Sequence, residues 1–187
     1  VAARATNGHS TLVLADAMSA VLEGRGKSIA RLMGPNLDDV RRSSDENGVT
    51  VQGRHDGYRD KFGLLHRRYL FMDTEGRNLR GIDELIRPVK LRTAAAKKPI
   101  PFVIRFHLHP DVRARPAEQK TITIETPLGQ RWRFRTDAPS AVVAESSYWG
   151  GRMPRETSQI VLAGEADPMG HGLAPPNRVR WALARLG

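Results

Sequence analysis

Apolar and polar residues alternate along much of this chain with a period of two. In residues 121–125 the two isoleucines fall on one face, and in residues 131–135 a tryptophan and a phenylalanine do the same. A period of two places successive side chains on opposite faces of an extended strand. Because a short segment containing Gly129 separates these two runs, the pattern predicts a β-hairpin with a glycine available for positive φ.

The same alternation predicts strands through the rest of the chain, at residues 11–14, 28–33, 48–54, 63–73, 79–86, 100–109, 141–148 and 158–162. Residues 178–183 also alternate, although residues 182–185 would tolerate a helix. An amphipathic helix is indicated only at residues 37–42. Short strands at this spacing favour an all-β fold, specifically an antiparallel β-sandwich.

The domain organisation indicated by the chain is one β domain over residues 1–187. The polar break at residues 94–99 is typical of a surface loop, and no internal repeat interrupts the pattern. The first residues lack the charged and apolar regions of a signal peptide, and a strand-like segment follows almost at once. We therefore expect the chain to begin inside a domain and to be the C-terminal part of a longer protein.

Net charge and composition indicate which classes of molecule this chain could bind. The 187 residues include 30 Lys+Arg against 20 Asp+Glu, a formal net charge of +10. This charge favours polyanions such as nucleic acid or acidic polysaccharide. The absence of cysteine excludes disulfides, thiolate metal sites and a cysteine nucleophile. No apolar run approaches the roughly 20 residues of a membrane span, so we expect no membrane partner.

Sequence motifs for common chemistries are missing. The chain has no P-loop, dinucleotide-binding fingerprint, serine-hydrolase elbow or zinc-finger spacing. It also has no recognisable nucleic-acid-binding module, so nucleic acid is the less favoured polyanion. Arg131, Arg133 and Arg135 form a basic stripe suited to phosphate or sulfate, although such stripes are commonly the solvated side of a hairpin.

The first candidate functional residue is His9, at the entry to the first predicted strand. A neutral imidazole at this position could bind zinc or a sugar hydroxyl. The alternative is a strand-edge histidine that is hydrogen-bonded to the backbone.

The second candidate site lies at a loop between two predicted strands and comprises His55, Tyr58, His66 and Arg68. Arginine forks onto a carboxylate, and tyrosine offers a ring and a hydroxyl, so residues of these types could hold a uronate. The alternative is a charged hairpin with the tyrosine closing one end. Both interpretations stay open.

The third candidate site is a His-x-His pair, His107 and His109. In a strand these two histidines share one face with Arg105, while the apolar residues between them face the core. Such a pair could chelate a metal or bind a substrate. The alternative is a hydrogen-bonded polar face, because the sequence places no further ligand beside the pair.

Taken in order, several segments of the chain resemble the C-terminal β-sandwich of the heparinase II/III family of polysaccharide lyases. The resemblance rests on residues 4–11 with Asp16, 55–58, 62–68, 73–76 leading into 79–83, 105–112, 132–134, 145–148, 158–162 and 181–183. The order of these segments, which span nearly the whole chain, is more specific than any one of them.

The resemblance implies an N-terminal α/α toroid packed against this sandwich, in an enzyme that cleaves uronate-containing polysaccharides by β-elimination. In such an enzyme the substrate carboxylate is neutralised, a Tyr or His removes the C5 proton, and a Tyr protonates the departing glycosidic oxygen. These groups come mostly from the toroid. The sandwich of such an enzyme contributes one more histidine, from a His-Ala-Asp segment, and that segment does not occur in this chain. The resemblance therefore implies no catalytic residue within this chain, which by itself would be inactive.

The resemblance also gives His9 a role. It matches the histidine of an Arg-x-Thr-x-x-His-Asn-Thr-like segment, which in metal-containing members of the family helps to hold zinc near the cleft. Here Ser10 stands in place of the asparagine. The other expected ligands would lie upstream of this chain, so the zinc ligand set would be incomplete and binding by this chain weak.

Two hypotheses about function follow. In the first, the chain is the sandwich of a heparinase II/III-like lyase, with acidic polysaccharide and the toroid domain as its partners, and with His55, Tyr58, His66, Arg68, His107 and His109 as substrate-binding candidates. In the second, it is a non-catalytic module that binds acidic glycan or supports a partner domain. A lyase of this kind would be periplasmic or extracellular, and a cytoplasmic location stays open.

Overall fold

The computed structural model describes residues 5–25, 28–89, 98–151, 153–170 and 172–187. Within these ranges helical structure is limited to a 3-10 turn at Thr6–Gly8 and a short helix α1 at Arg59–Phe62. The strands in chain order are β1 Leu12–Leu14, β2 Val21–Arg25, β3 Ser28–Met33, β4 Leu37–Ser44, β5 Gly48–His55, β6 Leu65–Asp73, β7 Asn78–Ile86, β8 Ile100–His107, β9 Arg113–Pro116, β10 Ile122–Glu125, β11 Arg131–Thr136, β12 Ser140–Tyr148, β13 Arg155–Ala166 and β14 Arg178–Arg185.

The strands form two large sheets and one small ribbon. A four-stranded sheet has the order β1-β8-β13-β12, and an eight-stranded sheet has the order β4-β5-β6-β7-β14-β11-β10-β9. Strands β2 and β3 pair with each other. All of these pairings are antiparallel. The two large sheets pack as a sandwich, which confirms the fold class predicted from the sequence.

The hydrophobic core lies between the two large sheets. The ring of Phe106 in β8 reaches across to the eight-stranded sheet and packs edge-on, 5.2 Å from Phe134 and 4.7 Å from Trp181 between ring centroids. The same buried core contains apolar residues from both sheets: Leu12, Leu14, Phe102, Ile104, Ile160, Leu162, Leu85, Ile122, Ile124 and Val179. The alternation places apolar side chains on one face of each strand, and burial of that face against the other sheet stabilises the sandwich.

The predicted hairpin is confirmed. Strands β10 and β11 pair in a continuous antiparallel register. The backbone N–H of Thr126 donates to the carbonyl of Gln130 across the loop at 3.0 Å. Gly129 has a φ of 74°, a left-handed conformation that a glycine adopts without steric cost.

The predicted helix at residues 37–42 is wrong, because these residues belong to strand β4. The spacing of Leu37 and Val40 resembles one turn of a helix, but both side chains are largely exposed. Strand β4 instead pairs with β5, with a register shift between Asp38 and Arg41. Cross-strand hydrogen bonding therefore overrides the local apolar spacing.

Several boundaries also differ from the sequence prediction. Strand β14 continues to Arg185, which decides the open question at residues 182–185 in favour of a strand. Strand β8 ends at His107, so His109 lies beyond it. Strands β2 and β9 were not predicted, and residues 94–97 of the polar break lie outside the described ranges. No helix in those ranges has the length and hydropathy needed to cross a bilayer.

Candidate functional site

A buried carboxylate, Asp83, organises the polar side chains on the inner face of the eight-stranded sheet. It is only 1% exposed. Arg68 forks onto it, with Nε at 2.8 Å and Nη2 at 3.0 Å. The indole Nε1 of Trp181 donates to Oδ2 at 2.9 Å, and Nε2 of His66 lies 2.8 Å from Oδ1. Both carboxylate oxygens therefore receive donors, which offsets the burial of the charge.

Strand register explains how these side chains meet. Arg68 of β6 lies directly opposite Asp83 of β7, and both point into the sandwich. Burial by itself would raise the pKa of Asp83, but the charge of Arg68 and the hydrogen bond from His66 outweigh it and lower that pKa to about 2. Asp83 is therefore ionised at neutral pH.

His55 extends this arrangement toward the loop before α1. It lies opposite His66 in the pairing of β5 with β6, and its Nε2 is 3.0 Å from Nδ1 of His66. The backbone N–H of Gly57 donates to Nδ1 of His55 at 3.2 Å. Because Nε2 of His66 faces a carboxylate, this pattern assigns the Nε2–H tautomer to both rings. We call these connected side chains, His55, His66, Arg68, Asp83 and Trp181, the Asp83 network.

The electrostatics of His55 agree with that assignment. Burial lowers the pKa of His55 to about 4, and the neighbouring His66 acts in the same direction. A proton on Nδ1 of His55 would also meet the N–H of Gly57 rather than an acceptor. His55 is therefore neutral at physiological pH and can donate through Nε2.

Tyr58 closes the end of the sandwich next to His55. Its side chain is fully buried, and its hydroxyl donates to the carbonyl of Leu12 in β1 at 2.9 Å. Burial raises the pKa of Tyr58 to about 12, so the phenol stays protonated. The short helix α1 follows, and Gly63, the residue directly after it, has a left-handed φ of 73°. The loop therefore holds Tyr58 as a link between the two sheets.

Arg68 joins the Asp83 network to the segment before β1. Its Nη1 donates to the carbonyl of Ser10 at 2.6 Å. The hydroxyl of Ser10 in turn accepts the backbone N–H of His107 at 3.0 Å. The imidazole of His107 uses both nitrogens, with Nδ1 2.7 Å from Ser146 Oγ and Nε2 3.1 Å from the carbonyl of Asn7.

His9 is exposed on this same segment, beside His107. Burial is the main reason that the pKa of His107 is lowered; the carbonyl of Asn7 raises it, and the charges of Arg105 and His9 lower it further. The half-buried imidazole of His107 therefore bonds to the segment that carries the accessible imidazole of His9.

A zinc site does not fit the residues present around His9. Both ring nitrogens of His107 already have hydrogen-bond partners. Across the described ranges, no group of three or more His, Cys, Asp or Glu is placed to hold a metal ion. A zinc centre needs three or four such donors, so we derive no chemistry from a metal.

His109 has different surroundings from His107. It lies beyond the end of β8, where its ring packs edge-on against Tyr148 with 4.9 Å between ring centroids. Its Nδ1 is 3.5 Å from a carboxylate oxygen of Asp111, which also pairs with Arg155 at 2.8 Å. The two histidines of the predicted His-x-His pair therefore have different partners, and both ring nitrogens of His107 are already hydrogen-bonded.

The structure thus brings together four of the residues that the sequence singled out, namely His55, Tyr58, His66 and Arg68. Tyr58 and His66 are enclosed by protein, and this burial disfavours direct contact with a substrate. Substrate binding by these four residues stays a prediction. The partners that the sequence analysis missed are Asp83 and Trp181. The alternation in β7 could have identified Asp83, since it places this carboxylate on an otherwise apolar face of the strand.

Three comparisons with known proteins bear on this site. The profile of the family described as "Heparinase II/III-like, C-terminal" matches residues 1–182. The chain is 36% identical over 166 residues to "FtsZ-localized protein C" of Caulobacter vibrioides (strain NA1000 / CB15N). Solved structures of heparinase III, with and without methylated lysines, superpose with a TM-score of 0.65 at 13% sequence identity over 98% of this chain.

These similarities differ in what they show. The heparinase III structures show the fold alone, because sequence identity to them is low. The match to the Caulobacter protein covers 83% of this chain but 28% of that protein, and the match to heparinase III covers 24% of that chain. The chain therefore spans about a quarter of the length of the relatives that it matches.

Proposed function

The chain belongs to the heparinase II/III-like C-terminal domain family, and from this membership we propose that it forms the β-sandwich wall of a polysaccharide lyase. The full-length enzyme would hold an acidic, uronate-containing polysaccharide between this sandwich and an N-terminal α/α toroid, and would cleave it by β-elimination. In this proposal the toroid supplies the proton-transfer residues. The sandwich supplies side chains that bind and position the substrate.

The observation that carries the proposal is the exposed polar segment before β1. Asn7, His9 and Ser10 are exposed and lie beside His107. Amide, hydroxyl and imidazole groups are hydrogen-bonding partners for sugar hydroxyls. The net charge of +10 would draw an anionic polymer toward this surface.

In this proposal the Asp83 network acts on the segment indirectly. Arg68 is held by Asp83 and holds the carbonyl of Ser10, so it fixes the backbone that carries His9. Arg68 and Asp83 are therefore positioning residues, since neither needs to touch the substrate. Binding sites of this kind depend on a rigid supporting shell.

The formation of unsaturated uronate, followed by its ultraviolet absorbance, tests the proposal on the full-length protein. Alginate, heparin and other uronate polymers serve as substrates. We expect absorbance to rise with at least one polymer, and His9→Ala to lower kcat/KM by about tenfold, the loss of one hydrogen bond to a substrate. Glu118→Ala, an exposed change beyond β9, serves as the control and should leave the rate unchanged.

The outcomes separate the parts of this proposal. A folded full-length protein that cleaves none of the polymers would overturn the lyase function. Cleavage that is unaffected by His9→Ala would keep the lyase and remove His9 from the cleft. A zinc ion held by His9 would need ligands from outside this chain, so a loss of zinc from full-length His9→Ala, measured by mass spectrometry, tests that part separately.

A non-catalytic binding or localisation module is the second candidate function. It is favoured by the 36% identity to a protein named for its localisation with FtsZ. Under this proposal the full-length protein binds purified FtsZ in an interferometry assay and releases no unsaturated uronate. Binding of heparin or alginate without cleavage would instead support the acidic-glycan-binding form of the module.

A further inference from the structure

The outer face of the eight-stranded sheet carries arginines on five neighbouring strands, β5, β6, β7, β14 and β11. They are Arg54, Arg67, Arg80, Arg178, Arg180, Arg131, Arg133 and Arg135. The cross-strand register places Ala182 of β14 between Arg80 and Arg135, and Glu84 of β7 between Arg67 and Arg178. The basic stripe predicted on β11 is thus one edge of a wider basic surface.

Two adjoining depressions cross this surface, with cavity volumes of about 570 and 430 Å³. Arg80 and Ile82 line both of them, so they form one continuous groove. Half-buried apolar side chains, including Tyr69 and Phe71, form its floor together with Ile82. We call this depression the arginine groove.

The charges in the arginine groove are only partly compensated. Glu84 pairs with Arg67 at 2.7 Å and lies 3.6 Å from Arg178. Arg80 and Arg135 are exposed and form an ion pair with none of the carboxylates that the structure describes. Two exposed guanidinium groups therefore lie beside an apolar floor, and each can fork onto a carboxylate.

The aromatic rings in the groove indicate which kind of anion fits. The guanidinium carbon of Arg67 lies 4.9 Å from the ring centroid of Tyr69, and that of Arg80 lies 5.9 Å from the ring centroid of Phe71. Sugars and nucleobases bind proteins largely by stacking on free aromatic faces, and here arginines cover those faces. A ligand with both carboxylates and aliphatic side chains matches the groove better.

We infer that the arginine groove is a docking site for an acidic peptide segment of a partner protein. Its carboxylates pair with Arg80 and Arg135, and its aliphatic side chains cover Ile82 and Ala182. The groove lies on the opposite layer of the sandwich from His107, so peptide docking leaves the polar segment before β1 free. The inference is independent of the lyase function.

Fluorescence anisotropy on the full-length protein tests this docking site, with a fluorescein-labelled random copolymer of glutamate and leucine as the probe. We expect the copolymer to bind about tenfold more tightly than poly-glutamate, because burial of an aliphatic side chain adds to the charge pairing. The double change Arg80→Glu with Arg135→Glu should weaken copolymer binding by at least about tenfold.

A matched control separates the groove from general charge. Arg113→Glu with Arg115→Glu makes the same change in net charge on the outer edge strand β9, and should change the affinity by less than about threefold. Circular dichroism confirms folding of each variant. If the charge reversals prevent folding, Arg80→Gln with Arg135→Gln replaces them and should still weaken binding.

Three outcomes would overturn the inference. The two double variants could weaken binding equally, which is the behaviour of a non-specific polyanion surface. Poly-glutamate or heparin could bind as tightly as the copolymer, which would remove the role of the apolar floor. Phosphatidylglycerol vesicles could bind more tightly than the copolymer and respond to the groove variants, which would assign the groove to a membrane surface.

Discussion

Nε2 of His55 lies 3.0 Å from Nδ1 of His66, and the two rings meet edge-on with their centroids 5.0 Å apart. The hydrogen bonds around this pair all point the same way: the N–H of Gly57 donates to His55, His55 donates to His66, and His66 donates to Asp83. A proton added to Nδ1 of His55 would face the N–H of Gly57 instead of an acceptor. The folded state thus favours the neutral form of His55.

This relationship predicts a loss of stability in mild acid. The pKa of His55 is about 4 in the folded chain, below the ordinary value of about 6.5. A group whose pKa is lowered by folding stabilises the protein above its unfolded pKa. That stability is lost as the pH falls from about 6.5 to about 4, by up to about 3 kcal/mol. Urea unfolding at a series of pH values measures the change.

His55→Gln is the control for that pH dependence. Glutamine can still donate to Nδ1 of His66 but does not titrate, so we expect the variant to lose the part of the slope that His55 causes. Below about pH 4 both proteins should lose stability together, since Asp83 is protonated only toward its lowered pKa of about 2. Identical slopes above pH 4 for the two proteins would rule out His55 as the titrating group.

Replacement of Asp83 by asparagine should strongly destabilise the fold. Asp83→Asn leaves the mostly buried guanidinium of Arg68 without its counter-charge, and breaking a buried ion pair on one side costs about 3–5 kcal/mol. Asp137→Asn is the matched control, because Asp137 is exposed, its ion pair with Arg180 spans 4.0 Å, and asparagine can still accept the 2.7 Å hydrogen bond from the backbone N–H of Arg180. Its cost should stay below about 1 kcal/mol. Equal urea midpoints for the two variants would contradict this account.

Much of the fold could be predicted from the sequence, because the alternation that identifies a strand depends only on neighbouring residues. The alternation at residues 121–125 and 131–135 depends on adjacent positions, and it predicted the hairpin that the structure contains. The wrong helix at residues 37–42 arose because Leu37 and Val40 lie in an exposed strand, where no buried face imposes a period of two. Local pattern is least informative where burial does not constrain the side chains.

The candidate site was predictable only in part. His55 and His66 flank one loop between two predicted strands, so the hairpin that the sequence analysis left open brings them together. Asp83 and Trp181 are 98 residues apart in sequence, and they meet only because β14 inserts between β7 and β11 in the sheet. No local pattern specifies that strand order. Burial of the histidines likewise depends on the opposing sheet, which the sequence does not position.

Loss of the Tyr58 hydroxyl should weaken the link between the two sheets. Tyr58→Phe leaves the carbonyl of Leu12 without this donor in a buried environment, and we expect a cost of about 1–3 kcal/mol. Tyr148→Phe is the control, because no hydrogen bond from the Tyr148 hydroxyl is seen within the described part of the chain. Thermal unfolding compares the two variants, and a larger effect of Tyr148→Phe would refute the prediction.

Close packing at Gly81 predicts intolerance of even one methyl group. Gly81 lies opposite Trp181 in the β7–β14 pairing, and a Cβ added there would overlap the indole ring that donates to Asp83. Gly81→Ala should therefore destabilise the fold by about 1–3 kcal/mol through overpacking. At Gly34 an added Cβ has no neighbour within 4 Å, so Gly34→Ala should change stability by less than about 0.5 kcal/mol. Calorimetry of both variants distinguishes overpacking from a general effect of losing glycine.

Two arginine–carboxylate forks in this chain have nearly the same geometry but different environments. Arg68 binds Asp83 through Nε at 2.8 Å and Nη2 at 3.0 Å, and Arg54 binds Asp38 through the same atoms at 2.8 Å each. Asp83 is buried, whereas Asp38 is mostly exposed. We expect Arg68→Gln to cost about 3–5 kcal/mol and Arg54→Gln less than about 1 kcal/mol.

Arg68 also holds the carbonyl of Ser10, so its loss should loosen the backbone that carries His9. Hydrogen exchange followed by mass spectrometry measures this directly. Arg68→Gln should speed exchange in peptides covering residues 9–12, while Arg54→Gln should leave them unchanged, because local opening becomes easier only where the anchoring contact is lost. If Arg68→Gln lowered global stability without speeding exchange at residues 9–12 beyond the rest of the sandwich, Arg68 would be a structural residue alone and not a positioning residue for His9.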